Sequence, residues 1–97
     1  MILFKKAREF IWDKGNKDKN WIKHKVTNEE CEEVFFDQDK KILKDVKHSQ
    51  KEVRYILLGK TKKGRLLFVV FTIREVKIRV ISACDLNRKE VALYEKT

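Results

Sequence analysis

Four arginines, Arg54, Arg65, Arg74 and Arg79, fall within one stretch that reads as consecutive strands. A guanidinium is planar, permanently charged and forked, so it can pair with two oxygens of one phosphate. RNA can be cut by its own 2′-hydroxyl. That reaction needs a base for the hydroxyl, cations for the charge that develops on phosphate, and an acid for the leaving oxygen. Arginines suit the middle task. His48, in a polar segment, titrates near neutral pH and suits proton transfer. Lys23, Lys60, Lys62 and Lys63 would guide a polyanion's backbone. For each residue there is also an ordinary reading. Arg79, between Ile78 and Val80, can be a solvent-facing strand residue, and Arg54 can pair with Glu52 or Glu75. The lysines can form a solvated turn, and His24 can be a hydrogen-bonded helix residue. Trp12 and Trp21 read as core residues, and Cys84 as a strand-end thiol.

The elements that must position these groups follow from patterning. Leu66–Phe71 is the longest apolar run, too short to span a bilayer as a helix, and rich in β-branched and aromatic residues, hence a buried strand. Lys77–Ala83 reads as its antiparallel partner. Whether Arg79 lies across from Thr72 or from Phe71 depends on a two- or three-residue turn around Glu75, and both remain open. Glu52–Leu58 alternates as a strand ended by Gly59, and Lys60–Gly64 forms a cationic turn. Lys41–Asp45 reads as an edge strand, followed by a turn over 46–51. Upstream, Phe10–Asp13 reads as a short strand and 17–24 as a helix with Trp21 facing the core. Thr27-Asn28-Glu29-Glu30 is a capping box opening a helix with Cys31, Val34 and Phe35 inward, ending near Phe36. Asn87, with Glu90 three residues on, opens a last helix with Val91 and Tyr94 inward. The expected fold is α+β: a short N-terminal strand, two helices, a three- to four-stranded antiparallel meander and a C-terminal helix.

Ninety-seven residues with no proline and no low-complexity segment make one domain over 1–97, with 1–9 a strand or leader and 10–95 the domain proper. The formal net charge is +9. It divides into +5 over 1–27, −6 over 28–39 and +10 over 40–97. Broad basic surfaces with one acidic island favour nucleic acid, although a merely lysine-rich solvated surface has the same composition. Cys31 and Cys84 stand far apart without Cys/His clustering, which argues against a zinc site and a secreted disulfide scaffold. No metal or cofactor is expected. No P-loop or Ser-His-Asp signature is present, and no helix is framed as a basic DNA reader. Met-Ile-Leu-Phe-Lys-Lys has the wrong order for a signal peptide, so a cytoplasmic, non-membrane protein is expected.

Many short matches in order give a sharper reading. Trp12-Asp13, Asn20, Lys23-His24, Val26 and Glu29-Glu30 resemble the N-terminal pattern of the BrnT toxins. Val34-Phe35, Asp37, Asp45, His48-Ser49 and Glu52-x-Arg54-Tyr55 continue it. Gly64-Arg65, Val69-Val70, Thr72, Arg74, Arg79, Ile81-Ser82-Ala83, Glu90 and Tyr94 complete it. The resemblance implies a RelE-like fold and an endoribonuclease toxin of a bacterial type II toxin–antitoxin pair. Such a toxin halts translation and growth and is neutralised by a BrnA-like antitoxin. It would reach operator DNA only through that complex, typically as a heterotetramer of two toxins and two antitoxins. On this basis Arg54, Arg65, Arg79 and His48 are the catalytic candidates. Lys23, Lys60, Lys62, Lys63 and Arg74 are the RNA-guiding ones. The chain departs from the pattern at Cys84, where an arginine is usual, at Lys25, where glycine is usual, and at Asn16 and Asn28. Loss of the cation at position 84 suggests an alternative: a weakened homologue that mainly binds antitoxin or nucleic acid during autoregulation.

Overall fold

The computed structural model describes residues 9–47 and 51–96. Residues 1–8 of the proposed leader and His48 lie outside the described residues. The elements in order are β1 (Glu9–Ile11), α1 (Lys19–His24), α2 (Asn28–Glu33), a 3-10 turn (Val34–Phe36), β2 (Lys41–Lys44), β3 (Tyr55–Lys60), β4 (Leu66–Arg74), β5 (Lys77–Asp85) and α3 (Arg88–Glu95). The fold is α+β, as patterning indicates. The strands form one sheet in the order β1-β5-β4-β3-β2, so β2 is an edge strand. The sheet is mixed: β2 to β5 run antiparallel, while β1 joins β5 in parallel with Phe10 beside Ile78.

One face of the sheet carries the core. Leu57, Leu67, Val69, Phe71, Ile78, Val80 and Ala83 pack against Val26, Cys31, Val34 and Phe35 from the α2 layer. Phe35 meets Phe10 and Phe71 edge-on at 5.2 and 4.9 Å between ring centroids, a favoured aromatic geometry. Residues alternate along a strand, so the opposite face of β4 and β5 presents Thr72, Arg74, Lys77 and Arg79.

Local chemistry fixes the helix ends. Thr27 and Glu30 exchange backbone and side-chain hydrogen bonds at α2, and Asn87 and Glu90 do the same at α3. The most informative boundary differences lie in β3 and β5. β3 begins only at Tyr55 and runs through Gly59 to Lys60. Gly59 permits close contact rather than ending the strand: a Cβ there would lie 2.9 Å from Val34 Cβ and 3.0 Å from the Val34 carbonyl. The strand reading of Lys77–Ala83 extends to Asp85.

The most instructive difference is Trp21. It was expected to face inward but is 47% exposed, with the Lys25 ammonium 5.2 Å above its ring. Asn20 is the buried residue of α1, at 1% exposure. Its Oδ1 accepts from the Ala83 backbone N–H at 2.9 Å. Asn16, equally enclosed, donates from Nδ2 to the carbonyls of Ile11 and Val80 and accepts from the Asp13 N–H. β1 covers only the first residues of β5. Beyond it, Asn16, Asn20 and the Lys19 ammonium on the Ile81 carbonyl satisfy the strand's outer edge. A buried backbone group without a partner is costly. Asn16→Ala should therefore destabilise the fold by about 2–3 kcal/mol. Thermal unfolding checks this: a Tm within about 3 °C of wild type would contradict it.

Candidate active site at the hairpin end of the sheet

The β4–β5 connection decides where the arginines point. Arg74 pairs with Lys77 and Thr72 with Arg79, so the turn has two residues, Glu75 and Val76. Their φ angles, 50° and 64°, are both left-handed, the geometry that matches the twist of a two-residue hairpin. Val76 holds this conformation without being glycine or asparagine, a strained backbone of the kind that gathers at functional sites. Arg74 and Arg79 thereby share the face opposite the core.

Arg54, one residue before β3, joins them at the same end. Arg74 bonds Glu52, and the charges of Arg54 and Arg79 reach it. Arg74 donates to both Glu52 oxygens, from Nε at 3.1 Å and Nη2 at 2.9 Å. These bonds hold the Glu52 carboxyl below the usual carboxylate range against a desolvation penalty; the charges of Arg74, Arg54 and Arg79 add to the effect. Arg79 donates from Nη1 to Asp13 Oδ2 at 2.7 Å and lies against Gly15, where a Cβ would stand 2.8 Å from Nη2. Asp13 is lowered chiefly by that bond, with help from the Gly15 N–H. The cluster thus holds three guanidiniums and two carboxylates in contact with water. Such a group can exchange its own counterions for phosphate oxygens.

A cleft of about 330 Å³ opens beside the cluster, lined by Glu52, Val53, Tyr55, Thr72, Ile73, Glu75 and Val76. Thr72 is buried, and its hydroxyl donates to the Val53 carbonyl at 2.7 Å. This ties the cleft floor to the segment that carries Arg54. Tyr55 stacks on Phe71 at 5.4 Å and 26°.

Arg65 sits elsewhere. It precedes β4, whereas Arg74 ends it, so the two are roughly 25–30 Å apart at the usual rise per strand residue. Its five N–H groups have internal acceptors. Nε and Nη2 donate to Asp85, Nη1 to the Lys25 carbonyl and Glu30, and Nη2 also to the His24 carbonyl. Asp85 raises its pKa most, opposed by desolvation. The predicted set is therefore split. Arg54, Arg74 and Arg79 come together, and Arg65 does not join them. Lys60, Lys62 and Lys63 flank the turn at Arg65's end, where the backbones of Lys60 and Lys62 donate to Asp37 and Glu33. Lys23 is exposed on α1. Sequence reasoning missed the carboxylates, Asp13 and Glu52. For Glu52 the signal available was its place two residues before Arg54; Asp13, 66 positions from Arg79, gave none.

The cysteines carry no chemistry here. Burial, reinforced by Glu30 and Glu32, pushes the Cys31 thiol up to about 12. Burial also raises Cys84, which pairs with Phe68 on the face that bears Arg79. Among the described residues no helix is long and apolar enough to cross a membrane. No curated protein matches the chain significantly. A family model described as "Ribonuclease toxin, BrnT, of type II toxin-antitoxin system" matches residues 12–90.

Proposed function

The chain belongs to the BrnT family of ribonuclease toxins of type II toxin–antitoxin systems, and from that premise we propose that it is an active endoribonuclease whose site is the Arg54–Arg74–Arg79 cluster. Membership implies a cognate antitoxin as partner. The single observation that carries the site is the Arg74–Glu52 pair at one end of the sheet, on the face that also bears Arg79 and beside a cleft that Glu52 itself lines.

In the proposed reaction an RNA phosphate enters between Arg74 and Arg79, which exchange carboxylate for phosphate oxygens. The 2′-oxygen attacks phosphorus as its proton leaves, and the bond to the 5′-oxygen breaks as that oxygen gains a proton. The products are a 2′,3′-cyclic phosphate and a 5′-hydroxyl. Fixed cations aimed at the phosphate oxygens act where charge accumulates. His48, in the segment joining β2 to β3, is the proposed proton carrier. Lys23, Lys60, Lys62 and Lys63 extend the basic surface toward the far end of the sheet, where they hold the RNA backbone. Arg65 is assigned a structural role. The chain acts as one domain in the cytoplasm. It stops translation and growth until an antitoxin binds, and the complex of two toxins with two antitoxins reaches operator DNA through the antitoxin.

The weakened-homologue alternative rests on Cys84. Five residues of strand separate it from Arg79, roughly 16 Å at the usual rise. At physiological salt the Debye length is about 8 Å, so a charge at position 84 acts only weakly on the cluster. Cleavage of labelled RNA by the purified protein, with EDTA present, tests the proposal. Wild type should cut, and Cys84→Arg should change the rate by less than about two-fold. An inactive wild type that gains activity from Cys84→Arg would establish the alternative.

A further inference from the structure

We propose that the cleft beside the arginine cluster is a nucleobase pocket that selects guanine next to the cut phosphate. The inference rests on the ribonuclease reading and adds a specificity to it. Three observations support it.

The first is the cleft's composition. Val53, Ile73 and Val76 supply apolar walls and Tyr55 an aromatic one, with only a few polar groups among them. Its volume of about 330 Å³ lies at the lower end of the range for small-ligand sites. Unstacked bases of single-stranded RNA enter such sites by stacking on aromatic rings.

The second is the state of its polar groups. The Thr72 hydroxyl is committed to the Val53 carbonyl and Glu52 to Arg74. Glu75, by contrast, has neither a hydrogen bond nor an ion pair among the described residues and stands at the rim. An ionised carboxylate only accepts. Guanine presents two adjacent donors, N1–H and the 2-amino group, which fit both oxygens of one carboxylate. Adenine and cytosine each set one amino donor beside a ring-nitrogen acceptor, and uracil sets its single N–H between two carbonyls. Each of these would turn a lone pair toward the carboxylate.

The third is placement. Glu75 and Val76 hold the left-handed turn directly after Arg74. Glu52 both lines the cleft and bonds Arg74, so a base in the cleft lies beside a guanidinium suited to its phosphate. The turn fixes the backbone of Glu75 relative to that of Arg74 and leaves the carboxylate free to meet a base.

The test is fluorescence anisotropy with the full chain and 2′-O-methyl oligouridylates that carry one central guanine, adenine or cytosine. These probes cannot be cut. The guanine oligonucleotide should bind about 10- to 100-fold tighter than the others, the scale of one good bidentate base contact. Glu75→Gln and Glu75→Ala, at an exposed turn position, should bring the affinities for all probes together while leaving thermal unfolding unchanged. Equal affinity for all probes, or a guanine preference that survives both variants, overturns the pocket. Parallel cleavage assays on ordinary RNA separate the two readings. Cleavage without guanine preference removes the pocket and leaves the ribonuclease standing; guanine-selective binding without cleavage does the reverse. No binding of any probe removes the pocket, and cleavage of ordinary RNA alone then decides the ribonuclease reading.

Discussion

Replacing Arg79 with alanine is expected to lower the cleavage rate by about 100- to 1,000-fold while leaving a folded protein. The loss falls on the rate because the guanidinium matters most once charge accumulates on phosphate. Folding should survive because the partner of Arg79, Asp13, is largely exposed, and the buried neighbours Ile78 and Val80 remain. Arg79→Lys should recover only part of the activity, since an ammonium lacks the two-pronged fit. Arg74→Ala should behave alike and also release Glu52. Unfolding curves and single-turnover cleavage together check this. Wild-type rates in both alanine variants would remove them from the site.

Arg65→Ala should do the opposite and act on stability. The arginine joins α1, α2 and the end of β5 through Glu30, Asp85 and the carbonyls of His24 and Lys25. Hydrogen bonds to charged groups contribute about 1.5–3 kcal/mol, and partial exposure lowers that value. A loss of about 2–4 kcal/mol is expected, enough to lower the Tm by about 10–20 °C in a domain of this size. Arg65→Lys should not restore it, because one ammonium cannot serve four acceptors in this geometry. The contribution also depends on pH. Arg65 holds Asp85 below its ordinary value of 3.8. The stability is therefore complete above that value and is lost as pH falls through the lowered folded one. A thermal scan from pH 6 down to pH 2 should show the variant and wild type converging. If Arg65→Ala keeps wild-type Tm but abolishes cleavage, the assignment is reversed.

What the sequence discloses depends on how local the cause is. The capping boxes at Thr27 and Asn87 are legible because donor and acceptor lie three residues apart. The antiparallel run of β3, β4 and β5 is legible because these strands follow one another through short connections. The inward face of α1 is not, because periodicity assumes that apolar residues face inward. Here an asparagine is buried to meet a backbone amide 63 residues away, and the tryptophan is left outside. Nor is the parallel pairing of β1 with β5, which rests on three residues and a distant partner. The candidate site was half legible. Arginines announce themselves, but their convergence hinged on a turn whose residues, Glu75 and Val76, give none of the usual asparagine or glycine signals. Lys25 shows the same limit. Nothing in a lysine announces a left-handed backbone, yet the position is a left-handed helix end, at φ 56°.

The pairing of β1 and the Asp13 loop with β5 bears on the order in which this molecule comes into being. Asp13 and Arg79, which meet at 2.7 Å, are separated by 66 positions. Translation delivers the first long before the second, and the meander must zip before its outer edge exists to be capped. A growing polypeptide therefore carries Asp13 with nothing to pair with, and the corner that it shares with Arg79 closes only once β5 has been made and zipped.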